Sequence, residues 1–199
     1  MAFINHAARE IHCKLVYYGP GLCGKTTNVE TIHERTRHER RGKLVSLTTE
    51  AERTLFFDFL PVWLGEVRGF RVRIHLYTVP GQIFYKASRK LILSGLDALV
   101  FVADSQEHRM YANLESMDDL HENLATMGLT TERVPFVLQC NKRDVHDPVP
   151  MAELQRELAP AGAPVIPAVA VDGRGVAETF KQACRLCVRA LTQQTGLPR

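Results

Sequence analysis

Apolar positions along this chain fall into two rhythms. ALVFVAD (98–104) and PFVLQCN (135–141) are unbroken apolar runs, the pattern of strands covered on both faces of a parallel sheet. CKLVYYG (13–19) and PVIPAVA (164–170) read the same way, and KLVSLT (43–48) is a further apolar run. Between them the spacing changes to a helical period, from Lys25 to about Glu39, from Gly81 to about Leu93, over 108–127, in MAELQREL and over 175–192. VWLGEV and FRVRIHLYTV, separated by Arg68-Gly69, predict a hairpin. Strands alternating with helices predict a doubly wound α/β domain: a mostly parallel, six-stranded sheet with one antiparallel hairpin strand and helices on both faces. A single domain over 1–199 is expected, with its core at about 10–192 and a frayed tail at 193–199.

One stretch follows neither rhythm. TEAERTLFFDFLP (49–61) reads as irregular, and TLFFDFLPVWLGEV (54–67) places apolar groups on both faces. A strictly alternating strand is pinned, because an odd slip turns its apolar set toward water. Here an odd slip exchanges one apolar face for another, so the strand at 62–67 is expected to have two accessible registers.

Bulk properties narrow the class. Net charge is +3, too small to argue for a nucleic-acid partner. The basic cluster Arg35, Arg37, Arg40, Arg41 and Lys43 is interleaved with Glu34 and Glu39, as on a solvated helix face. No apolar run approaches the roughly 20 residues of a membrane span, and no secretory signal, myristoylation glycine or prenylation cysteine is present. A cytoplasmic protein without a lipid anchor is expected. Five cysteines without a secretory signal argue against a disulfide framework. Cys184 and Cys187 share a helical face with Val176, Phe180 and Leu191, which favours core packing over zinc or redox chemistry.

Two motifs carry chemistry. GPGLCGKT (Gly19, Pro20, Gly21, Leu22, Cys23, Gly24, Lys25, Thr26) follows a strand and opens a helix, with Thr27 next in line. That is the phosphate-binding loop: glycines let backbone N–H groups converge on phosphate oxygens, Lys25 reaches the β- and γ-phosphates, and the Thr26 hydroxyl is a ligand for Mg²⁺. Cys23 reads as a packing residue. NKRD closes the strand 135–140 about 115 residues later, and supplies Asn141, Lys142 and Asp144. An ionised Asp144 accepts two hydrogen bonds from guanine, which adenine cannot offer. GTP and GDP are therefore the expected ligands.

YYGPGLCGKTTN, ERTLFFDFLP, IHLYTVPGQ, ASRKLIL, VFVADS and NKRD together resemble the Ras-like small GTPases, and specifically the bacterial branch typified by the gliding-motility polarity protein MglA. The resemblance implies that Thr78 stands where most such GTPases have an aspartate that orients a magnesium-bound water, and that Thr is the branch's own pattern. A threonine hydroxyl can still hydrogen-bond such a water, without charge. It implies Thr54 as a second metal ligand from a mobile segment, Gly81 as a γ-phosphate N–H donor, and Gln82 as the residue orienting the attacking water. It implies Arg53 as a built-in arginine finger, although chemistry alone reads an arginine in a charged loop equally as a solvated one. By order along the chain, Ala170 in AVAVDGRG would donate its N–H to the guanine carbonyl. A roadblock-type homodimeric activating protein, similar to MglB, is the implied partner, with a role in cell polarity or gliding motility and recruitment to cell poles. Downstream effectors are not implied. The alternative is a nucleotide-stabilised scaffold that recruits partners without cycling.

Overall fold

A computed structural model describes residues 3–47, 57–81 and 86–194. Along it run β1 (Phe3–Asn5), β2 (Glu10–Tyr18), α1 (Lys25–Arg35), β3 (Val45–Leu47), β4 (Phe57–Val67) and β5 (Phe70–Thr78). After these come α2 (Lys86–Leu93), β6 (Ala98–Asp104), α3 (Met110–Ala125), β7 (Phe136–Asn141), α4 (Met151–Leu158), β8 (Val165–Pro167) and α5 (Val176–Gln194). The sheet has eight strands in the order β3-β4-β5-β2-β6-β7-β8, with β1 alongside β2.

The doubly wound α/β reading holds, with two more strands than the pattern predicts. Both additions, β1 and β3, are three residues long, too short to display a period of two. They form antiparallel pairs, β1 with β2 and β3 with β4, beside the expected β4–β5 hairpin. The other pairings between strands are parallel. β1 lies against Glu10–His12, while β6 reaches only Leu15–Tyr18. The hairpin turns at Arg68 (φ 51°) and Gly69 (φ 77°), the left-handed pair that matches the twist of its strands.

Helix α1 ends at Arg35, earlier than its pattern predicts, because Thr36 is already extended (φ −85°, ψ 132°) and a 3-10 turn follows at His38–Arg40. β8 is also shorter than expected; its last residue is Pro167, which has no N–H for the ladder. β4 begins at Phe57, inside the stretch read as irregular. It pairs with β5 from Phe59–Tyr77 to Val67–Phe70, with one irregularity between Trp63 and Gly65 (φ 119°). Residues 48–56 and 82–85 lie outside the described residues, and with them Arg53, Thr54 and Gln82.

β2 is the axis of the domain. Its odd residues Ile11, Cys13, Leu15 and Tyr17 face a core shared with Leu76 and Phe180, and Val16 and Tyr18 face a second core shared with Phe101 and Leu120. β6 and β7 are buried at every position, as continuous apolar runs require. Cys184 and Cys187 are buried on α5 among these residues, and all five cysteines are free. Where the second core thins out, His12 meets His75 (Nδ1 to Nε2, 2.9 Å) and Phe59 packs on Tyr77 with ring centroids 4.8 Å apart. Burial, then the charges of His12 and Arg73, push the His75 pKa down to about 4. Among the described residues no helix is long and apolar enough to cross a membrane.

Because β5 and β6 flank β2 on opposite sides, the chain leaves the sheet in opposite directions at the carboxyl end of β2. In open α/β sheets that crevice is where ligands bind.

Candidate nucleotide-binding site

The loop 19–24 leaves β2 in that crevice and ends as the N-terminus of α1. Two of its three glycines are required by contact. Gly19 adopts φ 138°, and a Cβ there would stand 2.3 Å from the Val102 carbonyl oxygen. Gly24 caps α1 at φ 102°, and a Cβ there would meet Asn141 Nδ2 at 2.3 Å. The Lys25 side chain is buried, and its Nζ donates to the carbonyls of Gly19 (2.8 Å) and Pro20 (2.7 Å). An ammonium has three donors, and the third reaches Cys23 Sγ at 3.6 Å, so all three hold it within the loop. Leu22 is exposed and Thr27 half-buried. Cys23 is fully buried, and desolvation raises its pKa despite the nearby Lys25, which makes it a packing thiol.

Buried amides fix the loop to the rest of the domain. Asn28 and Gln139 exchange two hydrogen bonds of 2.9 Å, Asn28 also donates to the Gly24 carbonyl, and Gln139 donates to Thr179 on α5. This set joins α1, β7 and α5, and nothing in the local sequence announces it. Arg109, ahead of α3, was equally invisible as a site residue. Its Nη2 donates to the Gly21 carbonyl at 2.6 Å, while its Nε lies 3.7 Å from buried Asp104.

NKRD arrives at the same edge. Asn141 Nδ2 donates to the Cys23 carbonyl (2.7 Å) and its Oδ1 accepts the Ala170 N–H (2.9 Å). One side chain thus joins the phosphate loop to the 168–175 loop. The Ala170 N–H, expected to meet a guanine carbonyl, is engaged by Asn141 here. Thr31 Oγ1 holds the Ala170 carbonyl and Arg35 holds those of Asp172 and Gly173. Lys142, at φ 63°, sends Nζ to Asp104 (2.7 Å) and Gln106 (3.2 Å). Asp144 is exposed just beyond β7, and no hydrogen bond engages its carboxylate among the described residues. Asn141, Lys142, Asp144 and the 168–175 loop are thus gathered at one end of the crevice.

The other end gathers oxygen. Thr26 Oγ1 donates to Asp58 Oδ2 (2.7 Å), Ser46 Oγ to Oδ1 (2.7 Å), and Thr78 Oγ1 to Oδ2 (3.0 Å). Hydroxyl and carboxylate oxygens form the hard donor set that suits Mg²⁺. The Thr78 hydroxyl, expected to face a metal-bound water, is directed to Asp58 instead. Asp58 lies inside the stretch ERTLFFDFLP, but no residue spacing there marks it as a partner of Thr26.

No family model matches the chain. It is 56% identical to the mutual gliding-motility protein MglA of Myxococcus xanthus (strain DK1622) over 191 residues, which cover 96% of this chain and 98% of that protein. The chain belongs to the MglA family. Its fold is accordingly that of a Ras-like P-loop GTPase, and the crevice at the end of β2 is where that fold carries its two nucleotide motifs.

The Gly21–Gly81 approach generates a direct test. A Cβ on Gly21 finds only the Gly81 carbonyl at 3.5 Å, whereas one on Gly81 would meet the Gly21 backbone at 2.6 Å. Gly21→Val therefore keeps the loop but pushes its methyl groups into the space in front of Gly81. Single-turnover GTP hydrolysis is expected to fall by about 100-fold, with fluorescent-GDP affinity changed by less than about 3-fold. A parental hydrolysis rate would show that this space is not the reacting one.

Proposed function

We propose that this protein is a GTP-hydrolysing molecular switch that takes part in gliding motility or cell polarity. The observation that carries the proposal is the Asn141 bridge, which joins the phosphate loop to the 168–175 loop at the strand end that carries Asp144. Its 56% identity to a protein named for mutual gliding motility supports the biological setting.

In this reading the loop N–H groups, the α1 N-terminus and the Lys25 ammonium bind the β- and γ-phosphates. Mg²⁺, when bound beside Thr26, neutralises charge developing on the phosphate oxygens. Thr54 joins Thr26 as a ligand, Gly81 offers its N–H to the γ-phosphate, and Gln82 orients water for attack. Arg53 is the built-in finger on the transition state. A roadblock-type homodimer of the MglB kind completes the site, since turnover of Ras-type enzymes alone is only about 10⁻⁴ s⁻¹.

Phosphate release by the purified protein, with and without that homodimer, is the decisive measurement. Gln82→Ala and Arg53→Ala are each expected to lower the stimulated rate by about 10³-fold and to leave GTP affinity within about 2-fold, because both act on the transition state. A parental rate that the homodimer does not raise would make the protein a nucleotide-stabilised scaffold. A stimulated rate untouched by Arg53→Ala would place the arginine outside this chain.

Guanine selectivity is separately testable. In Asp144→Asn the new amide complements a carbonyl in place of a ring N–H, so GTP binding should weaken by about 10³-fold and xanthosine triphosphate should bind better than GTP. Equal GTP affinity in a titration would remove Asp144 from the base site.

The switch itself involves β4. Its apolar groups on both faces permit a change of register against β5 between the GDP and GTP forms, with the γ-phosphate favouring whichever register brings Arg53 and Thr54 inward. Paired-cysteine crosslinks reporting the Val62–Ile74 neighbours should differ between the two nucleotide states. Identical crosslinks in both would leave an ordinary loop switch.

A further inference from the structure

The crevice contains a carboxylate outside the phosphate loop and NKRD. Asp58 is buried, with 7% of its surface exposed, and lies one residue beyond the Phe59–Tyr77 pair, across β4–β5 from Thr78. Its backbone N–H donates to Thr78 Oγ1 at 2.8 Å, so that hydroxyl is anchored on both sides by the same residue. Three neutral hydroxyls, from Thr26, Ser46 and Thr78, are its side-chain partners, and among the described residues no cation pairs with it. Three neutral hydroxyls satisfy its lone pairs but leave its negative charge uncompensated by them, a setting that favours a cation close by.

We infer that Asp58 is the positioning carboxylate of the magnesium site, carried on β4 in place of the aspartate missing at position 78 of β5. The inference rests on the reading of the crevice as a magnesium–nucleotide site. A hydroxyl that ligates a metal through oxygen must direct its proton elsewhere. Thr26 sends that proton to Asp58 Oδ2 at 2.7 Å, which turns its oxygen lone pairs outward and makes it a better ligand. Ser46 and Thr78 fix the two carboxylate oxygens from opposite strands, so the acceptor is oriented before metal arrives. Thr78 thus keeps a part in the metal site, as the residue that holds the carboxylate. The carboxylate has crossed one inter-strand gap without leaving the crevice.

The test is the Mg²⁺ dependence of fluorescent-GDP dissociation from the full chain, which reads metal binding without turnover. Asp58→Asn keeps the shape and removes the charge. The Mg²⁺ concentration giving half-maximal slowing of release should rise by about 10-fold or more, with the release rate in excess chelator changed by less than about 3-fold. Asp58→Asn combined with Thr78→Asp returns the carboxylate to β5 and should restore the midpoint to within about 3-fold of the parent. An unshifted or lowered midpoint in Asp58→Asn would overturn the inference. So would a double variant, folded by circular dichroism, that stays as weak as the single one. If Asp58→Asn does not fold, Thr78→Ala removes only the hydroxyl holding Oδ2, and an unshifted midpoint there overturns the inference equally. A parent that binds no GDP overturns the proposed function and this inference together, whereas a magnesium-dependent parent with unaffected variants overturns this inference alone.

Discussion

Asn141 makes two hydrogen bonds on which the rest of the site depends. Its side chain is buried at the carboxyl end of β7 and bonds at once to the Cys23 carbonyl and the Ala170 N–H. Both of those groups sit in irregular backbone with no ladder partner of their own, where an unpaired polar group costs about 1–3 kcal/mol. An aspartate in its place would lose the donor, and an apolar residue would orphan both loops. The requirement reaches Gly24, because the amide occupies the space where a Cβ would stand. Loop spacing and helix cap are both consequences of a single amide group having two ends.

The same logic governs the acidic end of the crevice, with one difference. Asn141 is read by its own motif, whereas Asp58 is legible only once β4 and β5 are paired. A chain that places threonine at the end of β5 appears, position by position, to lack a carboxylate. In three dimensions the neighbouring strand brings one within 2.7 Å of Thr26. Adjacent strand termini at a sheet end share one space, so the side chains that meet there need not come from one motif.

That contrast explains what the sequence disclosed. Strands β6 and β7, helix α4 and the Arg68-Gly69 turn were legible to within a residue or so, because unbroken burial, helical period and left-handed backbone each leave a local mark. The phosphate loop and NKRD were legible because their geometry is encoded in consecutive residues. β1 was not, being three residues long, and β3 showed only as the apolar run KLVSLT, outside the six strands expected. Nor were Arg109, Asp58 or the Asn28–Gln139 pair, whose partners lie 88, 32 and 111 residues away along the chain. The early end of α1 depends on a single extended residue, Thr36, that no composition rule demanded.

The Asn28–Gln139–Thr179 set gives α1 a property that greasy contacts could not. A helix seated only on apolar neighbours can roll about its axis, trading one methyl contact for another at little cost. Two reciprocal amide bonds and a hydroxyl behind them tolerate no such roll, since a few tens of degrees would break both and bury the remains. The helix is keyed in azimuth as well as in position, and the loop that ends on its first turn inherits that angular precision.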